Sequence, residues 1–159
     1  MRVLTLLLPL LLTACGFELR SAGVLPLGVD RLHLISDQVL RNDVDVFLQG
    51  SDAKLVNTRS EAQVILTLSN ARYDRRVLSV DPNTGHEREF ELSFRLDVVA
   101  TGPQGQLMLK PQTLSVQRDY VFDQSELIGS GQEETVLRNE MRRAILQQVL
   151  HRLRAAASG

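Results

Sequence analysis

Between Phe90 and Ala100 apolar and polar residues alternate without a break. Phe90, Leu92, Phe94, Leu96, Val98 and Ala100 fall on one side, and Glu89, Glu91, Ser93, Arg95 and Asp97 fall on the other. Successive side chains of a strand point to opposite faces, so this stretch predicts a strand with one dry and one wet face. Turn-forming sequences bound it: Asp81-Pro82-Asn83-Thr84-Gly85 before, Thr101-Gly102-Pro103-Gln104-Gly105 after. Pro presets φ there, while Asn and Gly accept positive φ. Two further long strands flank these turns. One runs over Ala62–Val80, with Val64, Leu66 and Leu68 on a shared face. The other runs over Leu107–Phe122, with Leu114, Val116, Arg118, Tyr120 and Phe122 on a shared face. Three long strands joined by short turns make an antiparallel meander.

A dry face needs a cover, and helical spacing supplies one at each end of the chain. Arg31–Ser36 reads as a first strand, with Leu32 and Leu34 opposite Arg31, His33 and Ile35. A helix follows from Asp37 to Gln49, carrying Leu40, Val44, Phe47 and Leu48, with Ser36 or Asp37 as N-cap and Gly50 as terminator. Ala53–Asn57 is a short strand candidate. From Gln132 to Ala157 there is no Gly or Pro, and Val136, Leu137, Met141, Ala144, Ile145, Val149 and Leu153 form an apolar stripe. Glu133 and Glu134 then lie in the first turn and His151, Arg152 and Arg154 in the last, as the helix dipole favours. Ser125 could cap an earlier turn, but Gly129 and Gly131 weaken any helix through that stretch. The expected fold is α+β: a two-layer sandwich of a mostly antiparallel four-stranded sheet with two helices packed on one face.

At 159 residues the chain has room for one such domain, expected over residues 29–157. The start of the sequence is of another kind. Val3–Leu12 is an uncharged apolar run of ten residues behind Arg2. As a helix it spans about 15 Å, half of a hydrocarbon layer of roughly 30 Å, so it reads as a secretory signal rather than a membrane span. Cys15 is the only cysteine, which excludes a disulfide within the chain. Leu12-Thr13-Ala14-Cys15 resembles the lipobox of bacterial lipoproteins, in which the thiol is linked to diacylglycerol and becomes the new N-terminus. Residues 1–14 are then removed, Cys15 carries the lipid anchor, and residues 15–28, punctuated by Gly23, Pro26 and Gly28, form a linker. Gly16 rather than Asp after the cysteine points to the cell outer membrane.

Little in the sequence points to catalysis. His33, His86 and His151 share no metal-ligand spacing, no nucleophile motif or phosphate loop is present, and no metal, cofactor or enzymatic activity is expected. Loss of Arg2 with the leader leaves a slightly acidic chain, which argues against nucleic acid as a partner. Arginine is the conspicuous residue: Lys54 and Lys110 are the only lysines among 18 basic residues. Arg72, Arg75, Arg76 and Arg88 cluster about the hairpin whose tip is Asp81–Gly85. Guanidinium groups bind phosphate bidentately, so this edge could hold a phosphorylated lipid. The neighbouring Asp74, Asp81, Glu87 and Glu89 offer the other reading, a strand pair with cross-strand ion pairs.

Three motifs carry a family resemblance. Cys15-Gly16-Phe17-Glu18-Leu19-Arg20 resembles the C-G-(aromatic)-x-L-R start of the LptE family of lipopolysaccharide-assembly lipoproteins of Gram-negative outer membranes. Arg118-Asp119-Tyr120-Val121-Phe122-Asp123 resembles that family's R-x-(aromatic)-x-(aromatic)-(Asp/Asn) strand end, and Glu133 through Met141 to Gln148 and Leu153 resembles its closing helix. The resemblance implies a plug inside a large LptD-like β-barrel, a heterodimer that assembles the barrel and assists lipopolysaccharide insertion into the outer leaflet. It marks Cys15 as the anchor and Arg118 and Tyr120 as motif positions. The family's hairpin tip and last-helix start are often basic; here they read Asp-Pro-Asn-Thr-Gly and Ser130-Gly131, leaving Arg75, Arg76 and Arg88 beside the tip as the candidate lipopolysaccharide contacts. The rival readings are a structural lipoprotein of another envelope complex and a stand-alone lipid carrier.

Overall fold

A computed structural model of the chain describes residues 29–49, 51, 53–122 and 127–157, the side chains of 127–132 and 157 excepted. The expected signal (1–14), the lipid-bearing Cys15 and the linker (15–28) lie outside the described residues, as do Gly50, Asp123 and Ser125. The described elements, in order, are β1 (Arg31–Ile35), α1 (Gln38–Leu48), β2 (Lys54–Leu55), a turn of 3₁₀ helix (Arg59–Glu61), β3 (Val64–Val80), β4 (Glu87–Thr101), β5 (Leu107–Val121) and α2 (Leu127–Ala157).

The sheet departs from expectation in one respect. It has five strands in the order β2-β1-β3-β4-β5, and it is mixed: β3, β4 and β5 form the antiparallel meander, while β1 runs parallel to both β2 and β3. The expected four-stranded, mostly antiparallel sheet is corrected by the crossover. Helix α1 carries the chain back to the end of the sheet where β1 began, so β2 runs parallel to it, and the 3₁₀ turn after β2 returns the chain to that end again, so β3 does the same. The short Ala53–Asn57 candidate became β2, two residues long at the sheet edge.

Both helices pack into one core. Leu40, Val44 and Leu48 of α1 and Met141, Ile145, Val149 and Leu153 of α2 meet Leu66, Leu68, Phe90, Phe94 and Leu96 of the sheet. Asp37 caps α1, its carboxylate accepting the Leu40 N–H at 2.8 Å. At the other end the Ser51 hydroxyl and N–H both reach the Leu48 carbonyl, at 2.7 and 3.0 Å. Helix α2 starts at Leu127 and runs through Gly129 and Gly131, earlier than the expected Gln132. A glycine costs about 1 kcal/mol in a helix, and packing of the long stripe behind it outweighs that. Val136, expected on the stripe, is 53% exposed, and Leu146 and Leu150 are buried in addition to it.

A bulge in β3 decides what the hairpin shows to each side. Leu66 and Leu68 face the core, opposite Ala100 and Val98. The register then shifts between Ser69 and Arg72, with Asn70 at φ 52°. Asn70 is held there by its side-chain amide, which donates to Asp97 at 2.7 Å. One extra residue reverses the alternation. Tyr73 therefore lies opposite Phe94, stacked on it at 4.4 Å between ring centroids, whereas strict alternation from Leu68 would have put Arg72, Asp74 and Arg76 on the core side. In the β3–β4 turn only Gly85 takes positive φ; Asn83, expected to accept it, instead donates its N–H to the Asp81 carboxylate at 2.8 Å.

Candidate functional site

Over the middle of the meander the sheet's open face carries a polar network, whereas Ile65 and Val99 make it apolar toward β1. Asp97 of β4 accepts hydrogen bonds from Thr113 of β5 at 2.5 Å and Asn70 of β3 at 2.7 Å, which hold its carboxyl below the usual carboxylate range. Ser79 donates to Glu89 at 2.9 Å, and Arg76 pairs with Glu91 at 3.1 Å.

The candidate arginines do not act as one group. Arg75 and Arg76 are consecutive in a strand and project to opposite faces. Arg75 lies on the helix side. Its guanidinium sits 4.1 Å over the Phe90 ring centroid, with Nη2 3.6 Å from Glu87 and Nη1 3.8 Å from Glu134. Arg76 lies on the open face, against Glu91. Arg88 stands at the turn, where Asp81, His86, Glu87, Val121 and Phe122 help to line a shallow depression of about 410 Å³. Asp81 in that rim is held low chiefly by the backbone N–H groups of Asn83 and Thr84, with a smaller contribution from the Arg88 charge. Val77, Leu78, Val80 and Val121 are exposed around this same end of the sheet. Cation and apolar surface thus alternate there.

Of the two motif positions on β5, Arg118 is exposed and donates to the Gln117 carbonyl at 2.7 Å. Tyr120 is buried, stacks on Phe90 at 5.5 Å, and donates its hydroxyl to Glu134 at 2.9 Å. That contact opens a polar seam between α2 and the sheet that the sequence reading did not anticipate. Glu134 Oε1 accepts from Arg138 Nε at 3.0 Å and Nη2 at 2.6 Å. The Arg138 guanidinium lies 4.8 Å over the Tyr73 ring, and the Tyr73 hydroxyl donates to the Arg138 carbonyl at 3.0 Å. One turn further, Arg142 Nε donates to Asp43 of α1 at 2.7 Å, fastening the two helices together. Burial pushes the Glu134 carboxyl up, but the hydrogen bonds from Arg138 and Tyr120 and the charges of Arg138 and Arg75 outweigh it and hold the group below its usual range. The four-residue spacing of Glu134, Arg138 and Arg142 was visible in the sequence; their partners, Tyr73 and Asp43, are far away in it. Among the described residues no three His, Cys, Asp or Glu side chains converge where a metal ion could sit.

Comparison with known proteins places these features in context. The sequence model of the LptE family, described as lipopolysaccharide-assembly, matches residues 34–153. No curated protein matches the chain. Among solved structures the chain is similar to an uncharacterized lipoprotein B from Nitrosomonas europaea, with 24% identity and a TM-score of 0.73 over 91% of this chain and 94% of that one. It is also similar to the rare lipoprotein B from Shewanella oneidensis, with 24% identity and a TM-score of 0.63 over 80% and 93%. A minor lipoprotein from Acinetobacter baumannii matches with 22% identity and a TM-score of 0.63 over 82% and 94%. At these identities the likeness is one of fold.

Proposed function

The chain belongs to the LptE lipopolysaccharide-assembly family, and from this we propose that it is an outer-membrane lipoprotein that plugs an LptD-like β-barrel. In this reading Cys15 carries the lipid, the two proteins form a one-to-one heterodimer, and the pair delivers lipopolysaccharide to the outer leaflet. The observation that carries it is the family match over residues 34–153, which takes in β3, β4, β5, α1 and nearly all of α2. Two others support it. The open face of the meander carries a polar network, which suits a barrel lumen. The solved structures of like fold are named lipoproteins, which favours the anchor.

The role is one of binding and assembly rather than catalysis. Arg75, Arg76 and Arg88 are the proposed contacts for the phosphorylated, acylated ligand, Arg75 from the helix side of the hairpin, Arg76 from its open face and Arg88 at the turn, and the exposed Val77, Leu78 and Val80 beside them offer apolar surface to its chains.

The deciding experiment is affinity purification of a C-terminally tagged copy from detergent-solubilised outer membranes. Stoichiometric recovery of a large β-barrel is the expected result. Recovery of a different envelope partner would replace the function with that of a structural lipoprotein in another complex. A monomer that binds lipid alone would make it a carrier.

A further inference from the structure

Four groups converge at the end of α2 nearest the hairpin. Arg75 and Arg138 each hold the guanidinium over an aromatic ring of the sheet, Phe90 and Tyr73, at 4.1 and 4.8 Å from the centroids. The Tyr120 hydroxyl completes the set. All three direct donors at one carboxylate, that of Glu134: Arg138 by two hydrogen bonds to Oε1, Tyr120 at 2.9 Å and Arg75 at 3.8 Å to Oε2.

Two guanidinium groups and a phenol around one oxyanion is the chemistry that binds a phosphate. The rings beneath the guanidiniums hold them in place in advance, so little side-chain freedom is lost when an anion enters. Arg75 and Arg138 have side chains 45% and 41% exposed, so an external anion can reach them, and the Glu134 side chain they hold is itself 22% exposed.

We propose that Arg75, Arg138 and Tyr120 form a binding site for a phosphate monoester, and that Glu134 occupies it in the free protein as an internal competitor. The site deepens the reading above, since it shares Arg75 with the proposed lipopolysaccharide contacts, but its ligand chemistry is testable without a barrel. A carboxylate tethered in place is present at high effective concentration. It excludes weakly bound anions and yields to a doubly charged phosphate held close to it, as at a membrane surface.

The test uses the full chain in detergent, titrated with inorganic phosphate and, separately, with increasing amounts of phosphatidic acid in the detergent micelles. Glu134→Gln is expected to tighten binding of at least one probe about tenfold, the gain from removing a competitor that fills the site roughly nine-tenths of the time. Glu133→Gln removes the same charge one residue away and is expected to change neither titration. Tightening toward phosphatidic acid alone assigns the site to a lipid headgroup, and tightening toward both assigns it to phosphate in general. Adding Arg75→Gln to Glu134→Gln is expected to abolish the gain. The proposal is overturned if Glu134→Gln binds both probes no tighter than the parent, if Glu133→Gln gives the same gain, or if the gain survives loss of Arg75. Should Glu134→Gln fail to fold, the carboxylate resonance of Glu134 in the parent serves instead. Saturating phosphate is expected to move it to the position of an unpaired glutamate, and a resonance that does not move overturns the proposal. Failure here leaves the barrel co-purification untouched, so the two readings fall separately.

Discussion

Tyr120 shows how much one hydroxyl is asked to do. Its ring supports the core against Phe90, while its oxygen satisfies a carboxylate that α2 brings to the sheet. Tyr120→Phe keeps the ring and removes the hydrogen bond, so a loss of about 1 kcal/mol is expected in urea denaturation at neutral pH. The protonation of Glu134 gives a second prediction. Its carboxyl is depressed in the folded protein, so its contribution to stability is fully present above the ordinary glutamate value and is lost as pH falls through the folded one. Asp81 and Asp97 are depressed as well and act in the same direction. The midpoint of urea denaturation is therefore expected to fall as pH drops below the carboxylate range. In Glu134→Gln the fall is expected to be shallower, with the remainder due to the two aspartates. An equal slope in both proteins would remove Glu134 from the account. Neither the Tyr120–Glu134 contact nor the Arg75–Glu134 pair was legible in the sequence, where the residues stand 14 and 59 positions apart.

Among the elements, the strands and helices were largely legible because each carries its own period. The alternation of β4 and the cap and spacing of α1 are local properties, and they appear in the structure with boundaries close to those expected. The start of α2 was not legible, because glycine propensity is local and the packing that overrides it is not. Helix-to-helix contact is equally non-local. Arg142 and Asp43 join α2 to α1 with side chains only 19% and 26% exposed. Asp43→Ala is expected to cost about 1–2 kcal/mol, a charged hydrogen bond discounted for its partial exposure. A double-mutant cycle with Arg142→Ala would show coupling between the two; additive effects would mean the pair contributes nothing of its own. The bulge in β3 can be tested in the same way. Asn70→Gly keeps the left-handed backbone, and Asn70→Ala must strain it, so the alanine variant is expected to be the less stable by about 1 kcal/mol in thermal or urea denaturation.

For the molecule as a whole, the anchor and the folded domain are expected to be separable. Cys15 precedes a stretch punctuated by Gly23, Pro26 and Gly28 that reads as a linker, so Cys15→Ala is expected to release the protein from the membrane while leaving its circular dichroism and melting temperature unchanged. A variant that loses its fold would show that the N-terminal segment does more than tether. The division between sequence and structure follows the range of the forces involved. Period, turn chemistry and capping act over a few residues, so the sequence by itself determined the meander, the two covering helices and the α+β class, and three short motifs in it pointed to the LptE family that the match over residues 34–153 establishes. Pairing direction and strand register are set by contacts between distant segments. The parallel placement of β1, the fifth strand, and the bulge at Asn70 were therefore decided only in the tertiary structure. That bulge has the largest consequence. One inserted residue reverses the alternation of β3 and so decides which of two neighbouring arginines faces which way: Tyr73 and Arg75 turn toward α2, and Arg76 is left on the open face.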